Sequence, residues 1–173
     1  SNLDERPGME NSDDQRAPGN TNDLRGKILR IHPEDDGTYT IPEGNLFPPG
    51  TDKTKPEIYT MGHRNAWRPT LDSETGFLYW GEVGPDASVD SIWGPRGYDE
   101  FNQAKGPGFF GWPYFIGDNF PYNRRSHADS TYGAPYDVNK PVNESVNNTG
   151  LTELPTPVVP AMISVSYTHL TLP

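Results

Sequence analysis

The sequence predicts an all-β fold rich in loops, and three of its features say so. Eighteen glycines and 19 prolines among 173 residues leave few uninterrupted runs long enough for a helix. Proline lacks a backbone donor, and glycine loses too much entropy in a helix interior. Short apolar segments recur between turn signals at the spacing of a sandwich, barrel or propeller. Aromatic residues reach 12%, far too many for a solvating tail, so the chain folds although only 32% is hydrophobic and its net charge is −10. This balance predicts a piece of a larger extracytoplasmic protein, with part of the core supplied by other sequence.

The elements follow in order. Residues 1–22 are polar and carry the breakers Arg6-Pro7-Gly8 and Ala17-Pro18-Gly19, the pattern of a surface loop. Residues 27–32 (KILRIH) form the first candidate strand. Asp35-Asp36-Gly37 then turns the chain into 38–41, predicting a hairpin. After the loop Phe47-Pro48-Pro49-Gly50 a short strand is expected over 57–61. A second hairpin is expected from 67–71 through the turn Ser73-Glu74-Thr75-Gly76 into 77–83. The run Phe77-Leu78-Tyr79-Trp80 has the unbroken apolar character of a central strand buried on both faces. Antiparallel strands are therefore expected through 24–115, while 86–98 and 114–150 read as long irregular loops. Residues 164–173 change character abruptly. They resemble a translated sequencing adapter and are expected to make no core contacts, the alternative being a genuine strand.

Charge and composition exclude several roles. The acidic balance argues against nucleic-acid phosphates and anionic membrane surfaces as partners. No apolar run approaches the roughly 18 residues of a membrane span. The first residues show neither the basic nor the apolar region of a signal peptide. Without cysteine, disulfides and thiolate metal sites are ruled out.

Chemistry concentrates in four short motifs. Gly62-His63-Arg64-Asn65 stands between two strand candidates. Arg presents a rigid planar fork suited to carboxylates or quinone oxygens, and Asn adds a donor and an acceptor beside it. Alone, an Arg-Asn pair in a turn is more often a solvated feature, and His63 more often a turn histidine than a base. Nineteen residues after Asn65, the strand ending at Glu82-Val83 runs into Gly84-Pro85. Such a bend can turn carbonyls outward, and calcium accepts carbonyl oxygens as ligands. Asp99-Glu100-Phe101-Asn102 and Gly111-Trp112-Pro113 follow.

Taken together, GHRN, a strand, E-x-G-P, D-E-F-N and G-W-P resemble the glucose/sorbosone dehydrogenase family over roughly residues 17–120, with further support from 20–31 (NTNDLRGKILRI). The resemblance implies part of a six-bladed β-propeller, about two blades over 1–163, and a periplasmic or secreted bacterial sugar (aldose) dehydrogenase. It implies pyrroloquinoline quinone with calcium as cofactors, and a sugar substrate and an electron acceptor as partners. Arg64 and Asn65 match the pair that hydrogen-bonds the quinone. Gly84 and Pro85 match the carbonyls that hold its calcium, although Gly94-Pro95 can also be read as that pair. Glu100 and the carbonyl of Phe110, where relatives usually carry Tyr, match a second, structural calcium site. Tyr122 matches a cofactor-contacting Tyr.

In the implied mechanism a histidine removes the proton from a sugar hydroxyl while hydride passes to the quinone; calcium acts as Lewis acid and Arg stabilises developing charge. That base is expected N-terminal to Ser1, because His32, His63 and His127 do not match it and His169 lies in the tail; the fragment alone is expected to be inactive. The other reading is a propeller without catalysis, serving as a carbohydrate- or protein-binding module.

Overall fold

A computed structural model describes residues 3–166. The chain opens with two single-turn 3-10 helices, Glu10–Ser12 and Asp14–Arg16. Strands follow as β1 (Lys27–Leu29), β2 (His32–Pro33), β3 (Tyr39–Thr40), β4 (Ile58–Met61), β5 (Ala66–Leu71), β6 (Leu78–Glu82) and β7 (Tyr98–Ala104). Then come β8 (Gly108–Phe109), β9 (Phe115–Ile116), β10 (Phe120–Pro121), β11 (Asn123–Ser126), β12 (Thr131–Pro135) and β13 (Ile163–Ser166). The described residues are all-β, as the sequence predicts.

The largest unit is a four-stranded antiparallel sheet in the order β13-β7-β6-β5, the size and strand sense of one propeller blade. The hairpin of β5 and β6 is the one the sequence announces, and its turn is closed by Asp72, whose carboxylate accepts from Glu74 N and Thr75 Oγ1. The central position of β6 is also as expected, but burial on both faces is not. Trp80 and Glu82 point inward and are buried, while Tyr79 and Gly81, which alternate with them along the strand, are half-buried. On the outer face the register lines up Trp67, Gly81, Phe101 and Ile163 across all four strands. Trp67, Phe101 and Ile163 are each more than half exposed.

A three-stranded sheet, β1-β4-β8, packs behind it. Here two expectations fail. β8 runs parallel to β4, so the sheets are not wholly antiparallel. The KILRIH segment also does not continue as one strand: β1 ends at Leu29, and the chain re-forms as β2 in the expected hairpin with β3. Between the sheets lie Trp80, Ala104 and Phe110, with Ile28, Tyr59 and Leu78 packed against them. A second cluster, including Ile58, Met61, Phe109, Tyr114, Phe115 and Val158, forms the larger core.

The N-terminal segment is not a surface loop. Leu3, Asp4, Asp13, Gln15, Asn20 and Thr21 are buried; Arg6 pairs with Asp4, and 143–151 supplies partners for polar groups of the last four. Asn143 Nδ2 donates to the carbonyls of Gln15 (2.8 Å) and Gly19 (2.9 Å). Asp13 accepts from Ser145 Oγ and Asn147 Nδ2, and Thr21 Oγ1 accepts from Leu151 N. Lys27 Nζ, an ammonium with three donors, is met by the carbonyls of Ala17, Pro18 and Arg25. Nor is 114–150 wholly irregular, since it holds the hairpins β9–β10 and β11–β12. Residues 163–166 pair with β7 through a backbone ladder, with the Ile163 and Val165 side chains each 53% exposed. The remainder of the expected tail, 167–173, lies outside the described residues.

Candidate functional site

The site is built where the ends of β4, β5, β6 and β7 converge. Gly62 follows β4 with φ +82° and lies against the Phe109 ring, so a Cβ there would overlap that ring. This bend sends His63 inward and leaves Arg64 and Asn65 exposed. His63 is 2% exposed, not a turn histidine in solvent. Its Nε2 shares a 2.8 Å hydrogen bond with Thr60 Oγ1, and its ring contacts Trp80 edge-on and Phe110.

Arg64 and Asn65 are zipped to the end of β6. Arg64 Nη1 donates to the Val83 carbonyl (2.8 Å), Val83 N donates to Asn65 O (3.2 Å), and Asn65 N donates to Glu82 Oε1 (2.6 Å). The Arg64 guanidinium also stands 5.9 Å from the Trp112 ring, within cation–π reach. Immediately beyond Val83, Gly84 N donates to Asp99 Oδ1 (2.9 Å). Gly84 passes so close to Tyr98 that a Cβ would overlap the Tyr98 carbonyl, which gives this glycine a packing reason of its own. The Pro85 carbonyl accepts from Ala87 N (2.8 Å), leaving it a second lone pair.

Four residues singled out in the sequence, Arg64, Gly84, Glu100 and Phe110, line one small enclosed cavity, together with Gly62, Glu82, Tyr98 and Trp112. Its volume of about 10 Å³ admits a single water or ion and no more. Asn65 and Pro85 flank it in sequence. Tyr122 stands one layer out, edge-on to Trp112, with its hydroxyl buried and unpartnered. Gly94 lies elsewhere: it closes a turn with Ser91 in the 86–97 loop and abuts the Tyr122 ring.

Two carboxylates face each other across the cavity wall. Glu82 and Glu100 are directly paired on β6 and β7, each 7% exposed, an arrangement that like charges disfavour. Their environments differ. Burial drives the Glu82 carboxyl up, but His63 Nδ1 at 3.3 Å, the Asn65 amide and Trp80 Nε1 (3.1 Å) outweigh it, and the net shift is downward. Burial drives Glu100 up to about 7, reinforced by the negative charge of Glu82 and Asp99 and only partly offset by donors from Asn102 and Gly117. Burial likewise raises the Tyr122 phenol, with Glu100 adding to the shift and Arg64 opposing it.

Sequence reasoning missed Asp14. It comes from the N-terminal segment, and its Oδ2 accepts from Trp112 Nε1 at 2.8 Å. Burial raises its carboxyl, opposed by the Trp112 hydrogen bond and the positive charge of Arg64. No local signal announces a partner 98 residues away. Glu82 was legible in principle, since it stands two residues from Trp80 on the inward side of the same strand.

The family model for glucose/sorbosone dehydrogenase matches residues 8–152. The chain belongs to that family. Among its relatives, the HIPL2 protein of Arabidopsis thaliana is 29% identical over 142 residues, covering 72% of the chain and 19% of that protein. A solved structure of the putative oxidoreductase (glucose dehydrogenase) from Thermus thermophilus is 33% identical, covers 58% of the chain and 27% of its own, and gives a TM-score of 0.46. The PQQ-bound aldose sugar dehydrogenase of Streptomyces coelicolor is 24% identical, covers 71% and 29%, and gives 0.40. The chain thus spans about a fifth to under a third of the length of these relatives.

Proposed function

We propose that this chain builds one side of the cofactor site of a quinoprotein sugar dehydrogenase acting on aldoses in the periplasm or outside the cell. The observation that carries this reading is the convergence of Arg64, Gly84, Glu100 and Phe110 on one cavity, although they come from four separate motifs. When bound, pyrroloquinoline quinone supplies the hydride acceptor.

The residues fit these groups. The bond to Val83 occupies one of the five Arg64 N–H donors, so the exposed fork keeps donors for a planar, anionic ligand. Asn65 is exposed beside it. The enclosed cavity is too small for a tricyclic quinone, so the quinone would be held on the exposed side of Arg64 and Asn65. Calcium suits the donors on the inner side. Among the described residues no group of three or more acidic or histidine side chains is poised for a metal, so a cation here would be held largely by carbonyls, as calcium accepts. The cavity has room for one ion only. Glu100 with the Phe110 carbonyl would hold one calcium there, and the calcium beside the cofactor would lie outside it, on the carbonyls of Gly84 and Pro85. Asn102, which donates to Glu100, carries a buried Oδ1 without a donor, in keeping with an electron-rich site. Arg64 would stabilise negative charge that develops on the cofactor, and Trp112 walls the enclosed cavity beside it.

Reconstitution tests the proposal. Apoprotein of the full-length protein is titrated with pyrroloquinoline quinone with and without calcium, followed by dye reduction with aldoses. Activity is expected only with both, lost on chelation and restored by calcium. A protein that takes up neither group would instead be a non-catalytic binding module.

A further inference from the structure

We propose that Glu82 is a positioning residue that fixes the Arg64-Asn65 pair, acting through the Asn65 amide without touching the cofactor; this rests on the assignment of that pair to the quinone. A buried carboxylate is costly, and an apolar side chain would fill the same space between the sheets. What the carboxylate supplies is an acceptor at a place where the backbone offers none. The ladder between β5 and β6 begins at the Ala66–Glu82 pair. One residue earlier, the Asn65 amide lies beyond it and is taken by Glu82 Oε1 at 2.6 Å. With Val83 N on Asn65 O, both backbone groups of Asn65 are held, so the direction of its exposed side chain, and that of Arg64 before it, is set.

Glu82 is itself held in one orientation. Trp80 Nε1 donates to Oε2 at 3.1 Å, and His63 Nδ1 approaches the same oxygen at 3.3 Å. His63 is fixed in turn by Thr60 on its other nitrogen and by the Trp80 and Phe110 rings. Thr60, His63, Glu82 and Asn65 therefore form a chain from the interior of β4 to the exposed pair. This gives His63, inside the GHRN motif, a role other than that of a base.

The test uses the full-length protein and two readouts, one independent of the cofactor. In apoprotein, Glu82→Ala should speed deuterium exchange of the Asn65 amide by about tenfold or more, the scale of one lost charge-assisted hydrogen bond, while exchange in β7 stays unchanged. In titrations the same variant should bind pyrroloquinoline quinone about tenfold or more weaker, with the sugar KM of the loaded enzyme unchanged. Glu82→Gln, which keeps an acceptor for Asn65, should recover affinity to within about threefold of wild type, short of one full hydrogen bond. If Glu82→Ala does not fold, Glu82→Asp keeps the buried anion but withdraws it from Asn65, and should show the same losses. Wild-type exchange and affinity in the Ala or Asp variant would overturn the proposal, as would a Gln variant as impaired as Ala. If the wild type takes up no quinone, the cofactor assignment fails, while exchange at Asn65 still reports whether Glu82 holds it.

Discussion

Glu82 and Glu100 are equally buried and paired across the strands. Of the two, only Glu100, with no cationic or imidazole neighbour among the described residues to offset its burial, holds its proton more tightly than a carboxyl in water. Glu100 is raised from an ordinary 4.5 to about 7. Its folded value lies above its unfolded value, so the stability linked to its proton is complete below about 4.5 and is lost as pH rises through about 7. Asp14, also raised, adds in the same direction, whereas Glu82, lowered, loses stability only at acid pH. With calcium chelated, thermal unfolding of the full-length protein is expected to shift downward between pH 4.5 and 7, by on the order of 3 kcal/mol for Glu100. Calcium at Glu100 should reduce that fall, and Glu100→Gln should flatten it. A flat profile in the chelated wild type would show that the carboxylate is stabilised by something other than its proton. Glu100 was legible only through the family resemblance that D-E-F-N carries, and its place on one strand face with Asn102 required the fold. Asp14 was not legible, because its role depends on a fold contact made across most of the chain.

Elements were legible where pairing is local. The hairpins β2–β3 and β5–β6 carry their turn residues between them, and the turn chemistry alone locates both. The parallel β4–β8 pair joins residues with no such signal, since nothing in either segment specifies the direction of a distant partner. The N-terminal segment misleads for a related reason. Its Asp, Asn, Thr and Gln residues look solvated, yet they are buried against polar partners from 143–151. Asn143 closes this junction by capping two carbonyls from one amide. Asn143→Ala leaves both without that donor and should cost about 2–4 kcal/mol, read by denaturant unfolding of the full-length protein. Because Asp14 rides on this segment, the same variant should loosen Trp112 and weaken quinone binding. A change below about 0.5 kcal/mol, the scale of a surface substitution, would mean that the segment is held elsewhere.

At the scale of the molecule, one face of the four-stranded sheet is packed and the other carries the apolar row of Trp67, Phe101 and Ile163. Open apolar sheet faces drive association. The isolated 173-residue chain should therefore self-associate in sedimentation experiments, and Phe101→Lys should shift it toward monomer. A monodisperse wild-type chain would contradict this. The all-β class and the blade-like sheet were readable from short, turn-bounded strands, and the family from the order of its motifs; the cavity at their meeting point required the fold. The most direct test of the cofactor site is calorimetric titration of pyrroloquinoline quinone into calcium-loaded apoprotein of the full-length protein, comparing wild type with Arg64→Lys. Lysine keeps the charge but replaces a two-pronged planar donor with a point charge, so affinity should fall by about tenfold or more. Equal affinity in the two proteins would contradict the assignment of Arg64 to the quinone.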